Sequence, residues 1–413
     1  MAPRSRGAGA AAALARATRT AAAQRRRRDW RGALATLVEV AHSGFAPDMI
    51  LYSAVISACE VCGRWESALG LLREMKQRSV WPSVITYNAT VSACEKGRQW
   101  PLALGLLALM RRERLSPNVT TYSAAVSACE KGGRWEPALS LLEEMPRNSL
   151  RPNIYTYNAA ISVCAKSSLW NRALELFDRA DREGLCPDAI TYSSVMTGFE
   201  RAGLWAHCLR SLSEMEERGL GRSCVAQTIA MAACRGEGQW QWALALLGDL
   251  QARGLTPDKM AYTAAVDACE KGGQWTQVLA LLSAMGRDRQ LPDAVTYSSA
   301  MCACQCGRQW SLVLELFGEM QRRGLHPPPL ACNISLTACA QGVRWGEALR
   351  MISQLRGGRA TPDASGLKAA IQACGLAGRA AEAADLYRKG VAWGLFDLAA
   401  GAPGAAQLKG PAG

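Results

Sequence analysis

Apolar residues recur along this chain at helical spacing, in two alternating runs. Within 119–131, VTTYSAAVSACEK, Tyr122, Ala125, Val126 and Cys129 fall at i, i+3, i+4 and i+7, one face of a helix. Ala138, Leu141, Leu142 and Met145 repeat that spacing in the next run. Gly132 and Gly133 end the first helix. Pro137 sits in the first turn of the second, where a missing N–H costs nothing. The pattern predicts a helix hairpin.

The hairpin repeats. Trp30, Trp65, Trp100, Trp135, Trp170, Trp205, Trp240, Trp275, Trp310 and Trp345 stand 35 residues apart at every step. A frame opened at Met49 gives nine gap-free units ending at Asp363. A proline near the end of most units (Pro82, Pro117, Pro152, Pro187, Pro257, Pro292) stops one pair before the next begins. Helices shorter than ~12–15 residues are marginal alone, so neighbouring hairpins must stack and bury a continuous core. The predicted fold is all-α: a right-handed superhelical α-solenoid of tandem 35-residue helix-turn-helix repeats.

Residues 29–48 read as a degenerate half repeat. Residues 364–397 read as a degenerate C-terminal capping repeat, with Cys374 in register and Ala380 where Trp belongs. Residues 398–413 are small, flexible material expected to be disordered.

Charge changes this picture at one end only. The chain of 413 residues carries a net charge of +13, but residues 1–28 hold eight Arg and no acid. Without them 40 basic residues face 35 acidic ones, a net of +5, so the body is mildly basic. An acid-free arm rich in Ala and Arg has the composition of an organelle transit peptide. A basic tail that grasps RNA is the alternative. The arm is read as a targeting segment outside the fold, for a mitochondrion or a plastid. No apolar run approaches the ~18 residues of a membrane span, so no membrane partner is expected.

Nine of the sixteen Cys share one repeat position: Cys59, Cys94, Cys129, Cys164, Cys234, Cys269, Cys304, Cys339 and Cys374. That position is on the apolar face, where Cys packs as a small hydrophobe and implies a reducing compartment. Cys59 with Cys62, and the Cys302, Cys304 and Cys306 run, lack a second CxxC or a His at ligand spacing. No metal and no cofactor are expected.

A 35-residue helix pair opening VTYN or VTYS and closing LxPD or LxPN resembles the pentatricopeptide repeat family, in its pure-repeat class. The likeness covers about 350 of the 413 residues. Tetratricopeptide repeats run at 34 with a different layout. The ACEKGGxW variant resembles an algal lineage of the family.

The resemblance implies that each repeat reads one RNA base through two or three side chains, chiefly the fifth residue of the unit and the last. The fifth residues are Ser53, Asn88, Ser123, Asn158, Ser193, Thr228, Thr263, Ser298 and Asn333. All are short hydrogen-bonding side chains, beside a position that is usually Tyr. Capping of helix starts is the competing explanation. The closing residues are Ser83, Asn118, Asn153, Asp188, Ser223, Asp258, Asp293, Pro328 and Asp363.

By the family's pairing rules, Asn88 with Asn118 implies a pyrimidine and Ser123 with Asn153 implies A. Asn158 with Asp188, and Asn333 with Asp363, imply U. Thr228 with Asp258, and Thr263 with Asp293, imply G. The pairs Ser53/Ser83, Ser193/Ser223 and Ser298/Pro328 are not decodable. From the first unit the site reads 5′-n-Y-A-U-n-G-G-n-U. Arg222 replaces Pro in unit five, and Gln227 replaces Tyr in unit six.

Second residues are mostly apolar (Ile50, Ile85, Ile190, Val225, Met260, Val295, Leu330). In the family they wedge between bases; packing between repeats explains them equally well. Lys96, Lys131, Lys166, Arg201 and Lys271 close the first helix and in the family meet phosphate. A cation favoured at a helix C-terminus is the alternative. Five phosphate contacts would give a slope of log K against log salt of about −3.5.

Catalysis needs groups the repeats do not supply. The three His (His42, His207, His326) sit in no HxE context, so the zinc-deaminase signature is absent. EKGGRW lies between helices rather than after a strand, so it is no phosphate loop. The chain reads as a non-enzymatic, monomeric binder of single-stranded RNA in an organelle. It would stabilise, process, splice or help translate a transcript by occupying it, beside other RNA-processing factors. The alternative is a protein-binding scaffold of the tetratricopeptide kind.

Overall fold

The computed structural model describes residues 4–221, 223–236, 238–355, 363–393 and 395. Arg222, residues 394, 396 and 397 of the last repeat, and the tail 398–413 lie outside the described residues. Among the described residues there are 22 helices and no strand. They begin with α1 (Arg4–Arg27), α2 (Trp30–His42), α3 (Met49–Val61) and α4 (Trp65–Gln77), and the pairing continues to Ala364–Leu376 and Ala380–Ala392. The fold is an all-α solenoid of tandem helix pairs. It divides into two compact units, Met1–Ala202 and Gly203–Gly413.

Sequence fixes both ends of each first helix. The closing residue of one repeat is the N-cap of the next: the Asp48 carboxylate accepts the Leu51 N–H at 2.8 Å, and Asn118 accepts that of Thr121 at 3.0 Å. Termination falls to the fifteenth residue, which turns left-handed in every repeat, with φ between 53° and 73°. Gly serves there in Gly63, Gly133 and Gly273, but Arg98, Ser168, Arg308 and Val343 are forced into the same region.

The fourteenth residue caps the helix, as expected of Gly132, and has a second role. A Cβ on Gly132 would lie 2.4 Å from Cδ1 of Trp100, and one on Gly97 would lie 2.2 Å from that of Trp65. The glycine admits the preceding repeat's indole. Arg134 then stacks over Trp100 at 5.4 Å, as Arg64 does over Trp30 at 4.9 Å. GGRW is therefore an inter-repeat clasp.

First helices stack on first helices within each compact unit, and second helices wedge between them. Tyr52, Tyr87, Tyr122 and Tyr157 in the first unit, and Tyr262 and Tyr297 in the second, are buried along this stack. The shared cysteines are buried beside them, and burial pushes thiols such as those of Cys94 and Cys129 up to about 11. They stay protonated, as core hydrophobes do.

Residues 4–28 depart from the expectation that the arm stands outside the fold. Within α1, Ala17 and Ala21 are buried in one core with Leu37 of α2 and with Leu51, Tyr52, Val55 and Ile56 of α3. Counting back 35 from α3 puts Ala17 at the Tyr52 position, Ala21 at Ile56 and Gln24 at Cys59. Residues 14–48 are thus a whole repeat, not a half. Its signature tyrosine and cysteine are Ala and Gln, which hid it among the alanines. Arg28 has the left-handed φ of the fifteenth position, 58°.

Candidate nucleic-acid interface

The first helix leaves one face partly open along its length, and the fifth residues other than the buried Ser298 lie half-buried on it. Fifth residues stand inside the helix, a full turn past its start, so capping does not explain them. The caps are the closing residues. Ser83, Asn118, Asn153, Asp188, Ser223, Asp258, Asp293 and Asp363 each accept backbone N–H bonds of the following helix; Pro328 makes no side-chain cap.

The two halves of several pairs meet. Asn88 Nδ2 donates to Asn118 Oδ1 at 3.2 Å, and Asn158 Nδ2 donates to Asp188 Oδ1 at 3.4 Å. Elsewhere a threonine bridges them. Thr86 bonds Ser53 at 2.7 Å and Ser83 at 3.1 Å. Thr156 bonds Ser123 at 2.6 Å and Asn153 at 2.8 Å, and Thr296 joins Thr263 to Asp293. Asn333 Oδ1 instead accepts the Asp363 backbone N–H at 3.3 Å. Thr228 turns to its own helix, bonding the Cys224 carbonyl, with Ala261 where the bridge would stand. Ser298 is buried and bonds the Ala294 carbonyl. Ser193 and Ser223 belong to different compact units.

The bridging threonine is a site residue that sequence reasoning passed over. Its signal was the recurrent TY opening the motif: the Thr at the third position is what holds a fifth residue against a closing one.

This arrangement leaves chemistry unused. Asn118 Oδ1 accepts the Thr121 N–H, the Thr121 hydroxyl and Asn88, which leaves its Nδ2 donors for a ligand. In Asp188 the same Oδ1 takes the Thr191 N–H, the Thr191 hydroxyl and Asn158, which leaves Oδ2 as an acceptor. A closing Asn therefore presents a donor and a closing Asp an acceptor. Asp293 Oδ2 is taken at 2.6 Å by the Lys259 ammonium.

These carboxylates are held ionised. Burial raises the Asp188 pKa, but the bonds from Thr191 and Asn158 outweigh it and the net shift is downward. Burial also opposes ionisation of Asp293, yet Lys259 and Thr296 bring it down to about 2. A folded pKa below the ordinary carboxylate value stabilises the fold above ~4 and loses that contribution as pH falls towards about 2. Asp293→Asn keeps the cap but not the charge. Melting curves of wild type and variant are expected to converge as pH drops through that window.

Second residues settle the choice between packing and exposure. Ile50, Ile85, Tyr155 and Ile190 in the first compact unit, and Val225, Met260, Val295 and Leu330 in the second, are 54–75% exposed. Packing between repeats does not explain them. Tyr155 joins a stripe that an aliphatic pattern had missed.

The expected phosphate residues divide. Lys96 pairs with Glu60 at 3.1 Å, Lys131 with Glu95 at 2.7 Å and Lys166 with Glu130 at 2.6 Å. Ser92, Ser127 and Ser162 donate to the same three carboxylates, so a Ser–Glu–Lys ladder ties each repeat to the next. Arg201 donates to the Lys166 carbonyl. Lys271 is exposed and makes no ion pair among the described residues. Among the described residues no three metal-ligating side chains converge.

Sequence profiles of the PPR repeat family match residues 47–96, 124–166 and 156–201, and its single-repeat profile matches 85–115, 190–220 and 295–325. The chain is a pentatricopeptide repeat protein. Curated protein sequences give no match. Among solved structures it is similar to the pentatricopeptide repeat protein PPR10 from maize, at 18% identity and a TM-score of 0.54, over 90% of this chain and 62% of that one.

PPR10 in complex with an 18-nt psaJ RNA element matches at 22% identity and a TM-score of 0.44, over 91% and 59%. The PPR domain of Arabidopsis thaliana protein-only RNase P 1 in complex with tRNA matches at 15% and 0.39, over 43% and 94%. The first likeness bears on the fold, and this pentatricopeptide repeat chain spans less than two thirds of the maize protein's length.

Proposed function

We propose that the chain, an RNA-binding repeat protein of this family, recognises single-stranded RNA one base per repeat. The observation that carries the proposal is the exposed apolar residue at the second position of eight of the nine units; the third has Thr120 there. Burying such a side chain is worth about 1.5–3 kcal/mol, so the stripe is far more stable covered than bare. Bases, which offer flat apolar faces and hydrogen-bonding edges, cover apolar and polar groups together.

Donor and acceptor follow the chemistry of the base edge. Uracil and guanine carry an imino N–H that a closing Asp accepts; adenine and cytosine carry a bare ring nitrogen that a closing Asn donates to. The resulting site is 5′-n-Y-A-U-n-G-G-n-U, read by a monomer. Phosphate contacts fall chiefly to Arg201 and Lys271, because three lysines already have carboxylate partners. A protein-binding scaffold does not account for the polar pairs.

Work on organellar transcripts is the setting that the Arg- and Ala-rich leader suggests. Burial of Ala17 and Ala21 means that a cleaved import signal would end before Ala17.

The test is binding of the full chain to two labelled RNAs at physiological salt, one with the decoded site and one with its A, U and G positions permuted. Each wrong base costs about 1 kcal/mol or more, so a preference of about a hundredfold or better is expected. Equal affinity would discard base reading, and binding to neither would discard RNA.

A further inference from the structure

The repeat formed by residues 14–48 differs from its neighbours where charge is concerned. Thr18 occupies the fifth position and, like Ser123 and Thr228, bonds the carbonyl four residues back, that of Leu14. Asp48 occupies the closing position and caps α3 as other closing residues cap their helices. At the twelfth position, where Glu60, Glu95 and Glu130 each neutralise a lysine of the next repeat, this repeat has Arg25; at the thirteenth it has Arg26. From α3 the matching ninth and thirteenth residues are Ser57 and Val61, which offer no carboxylate. Arg25 and Arg26 are exposed and take part in no ion pair among the described residues. At the next three steps of the first compact unit each lysine on this face is matched by a glutamate; here two cations stand open.

We propose that residues 14–48 form an RNA-holding repeat, in which Arg25 and Arg26 grip phosphates immediately 5′ of the first base read. The inference rests on the RNA-binding reading above and extends it by a site. Helix α1 is locked in register by Ala17 and Ala21, so both guanidinium groups are held on the face that carries the polar pairs. A guanidinium offers two parallel donors to a phosphate and needs no particular base. The contact adds affinity and salt dependence without specificity.

The experiment compares the nine-nucleotide decoded site with the same site lengthened at its 5′ end by three uridines. The full chain, an Arg25→Gln/Arg26→Gln variant and an Arg73→Gln/Arg112→Gln variant are titrated from 50 to 200 mM salt. The last pair removes the same charge from second helices.

Wild type is expected to bind the longer RNA more tightly, with a slope steeper by about 0.7 per phosphate, or roughly a sevenfold larger loss across that range for two contacts. Arg25→Gln/Arg26→Gln removes this gain and leaves the shorter RNA unaffected; the control keeps it. An equal gain in all three proteins overturns the clamp while base reading stands, and the arginines then belong to a leader. Failure of wild type to bind either RNA overturns the RNA reading and the clamp with it.

Discussion

Replacing Asp188 with asparagine is expected to move the base preferred by the fourth repeat from uracil towards cytosine while keeping the helix cap. The reason lies in the division of labour between the two oxygens. Oδ1 accepts the Thr191 N–H at 2.9 Å and its hydroxyl at 2.8 Å, and an asparagine keeps that oxygen. Only the outward atom changes, from an acceptor to a donor. The altered pair would then have the same two side chains as Asn88 and Asn118.

A well-formed pair discriminates by about 1–3 kcal/mol, so losing one preference and gaining its opposite spans roughly a hundredfold in relative affinity. Titration of RNAs differing only at the fourth base measures it. Asp188→Ala is the contrast: it removes the cap as well, costs about 1 kcal/mol of stability, and lowers affinity for both bases. A preference for uracil that survives Asp188→Asn would show that Oδ2 does not meet the base.

Gly132→Ala is expected to destabilise the first compact unit by about 1–3 kcal/mol, the range for overpacking. The added methyl would sit 2.4 Å from Cδ1 and 2.9 Å from Cγ of Trp100, in an indole that Arg134 covers from outside. Two other glycines make the result interpretable. At Gly133 a Cβ meets nothing within 4 Å, but φ is 65°, so alanine there costs about 1–2 kcal/mol through the backbone alone. At Gly105, inside the helix Trp100–Arg112, there is open space and no such constraint, so alanine should stabilise by up to about 1 kcal/mol. Thermal melts of the three variants should therefore fall in the order Gly105→Ala above wild type above the other two. A Gly132→Ala protein as stable as wild type would mean that the Trp–Gly clasp is not what couples the repeats.

Both results turn on atoms that a sequence pattern does not rank. The nine-fold frame was legible because period and helical spacing are properties of order along the chain, and each repeat restates them. The positions 5 and 35 were legible as a resemblance, since only Asn, Ser and Thr fill the first of them. Their geometry was not. Thr121 looked like one more opening residue, yet it fixes which oxygen of Asn118 is occupied and so which atoms face outward. Lys96, Lys131 and Lys166 looked like phosphate ligands, because the glutamate that binds each one lies 36 residues earlier and is brought near only by stacking.

What sequence alone determined is the unit: 35 residues, two helices, capped at one end by the closing residue and turned at the other by the fifteenth. Local hydrogen bonds and periodicity decide such things, and they act within a few residues. Tertiary structure decided three things that depend on neighbours from other repeats: that α1 is the first helix of a repeat rather than a detached arm, that the second-position stripe faces solvent, and that most of the expected phosphate lysines are already paired. Alanine is neutral in pattern but becomes core when a packed helix lies against it, and a charge is free or neutralised only according to what stacks beside it.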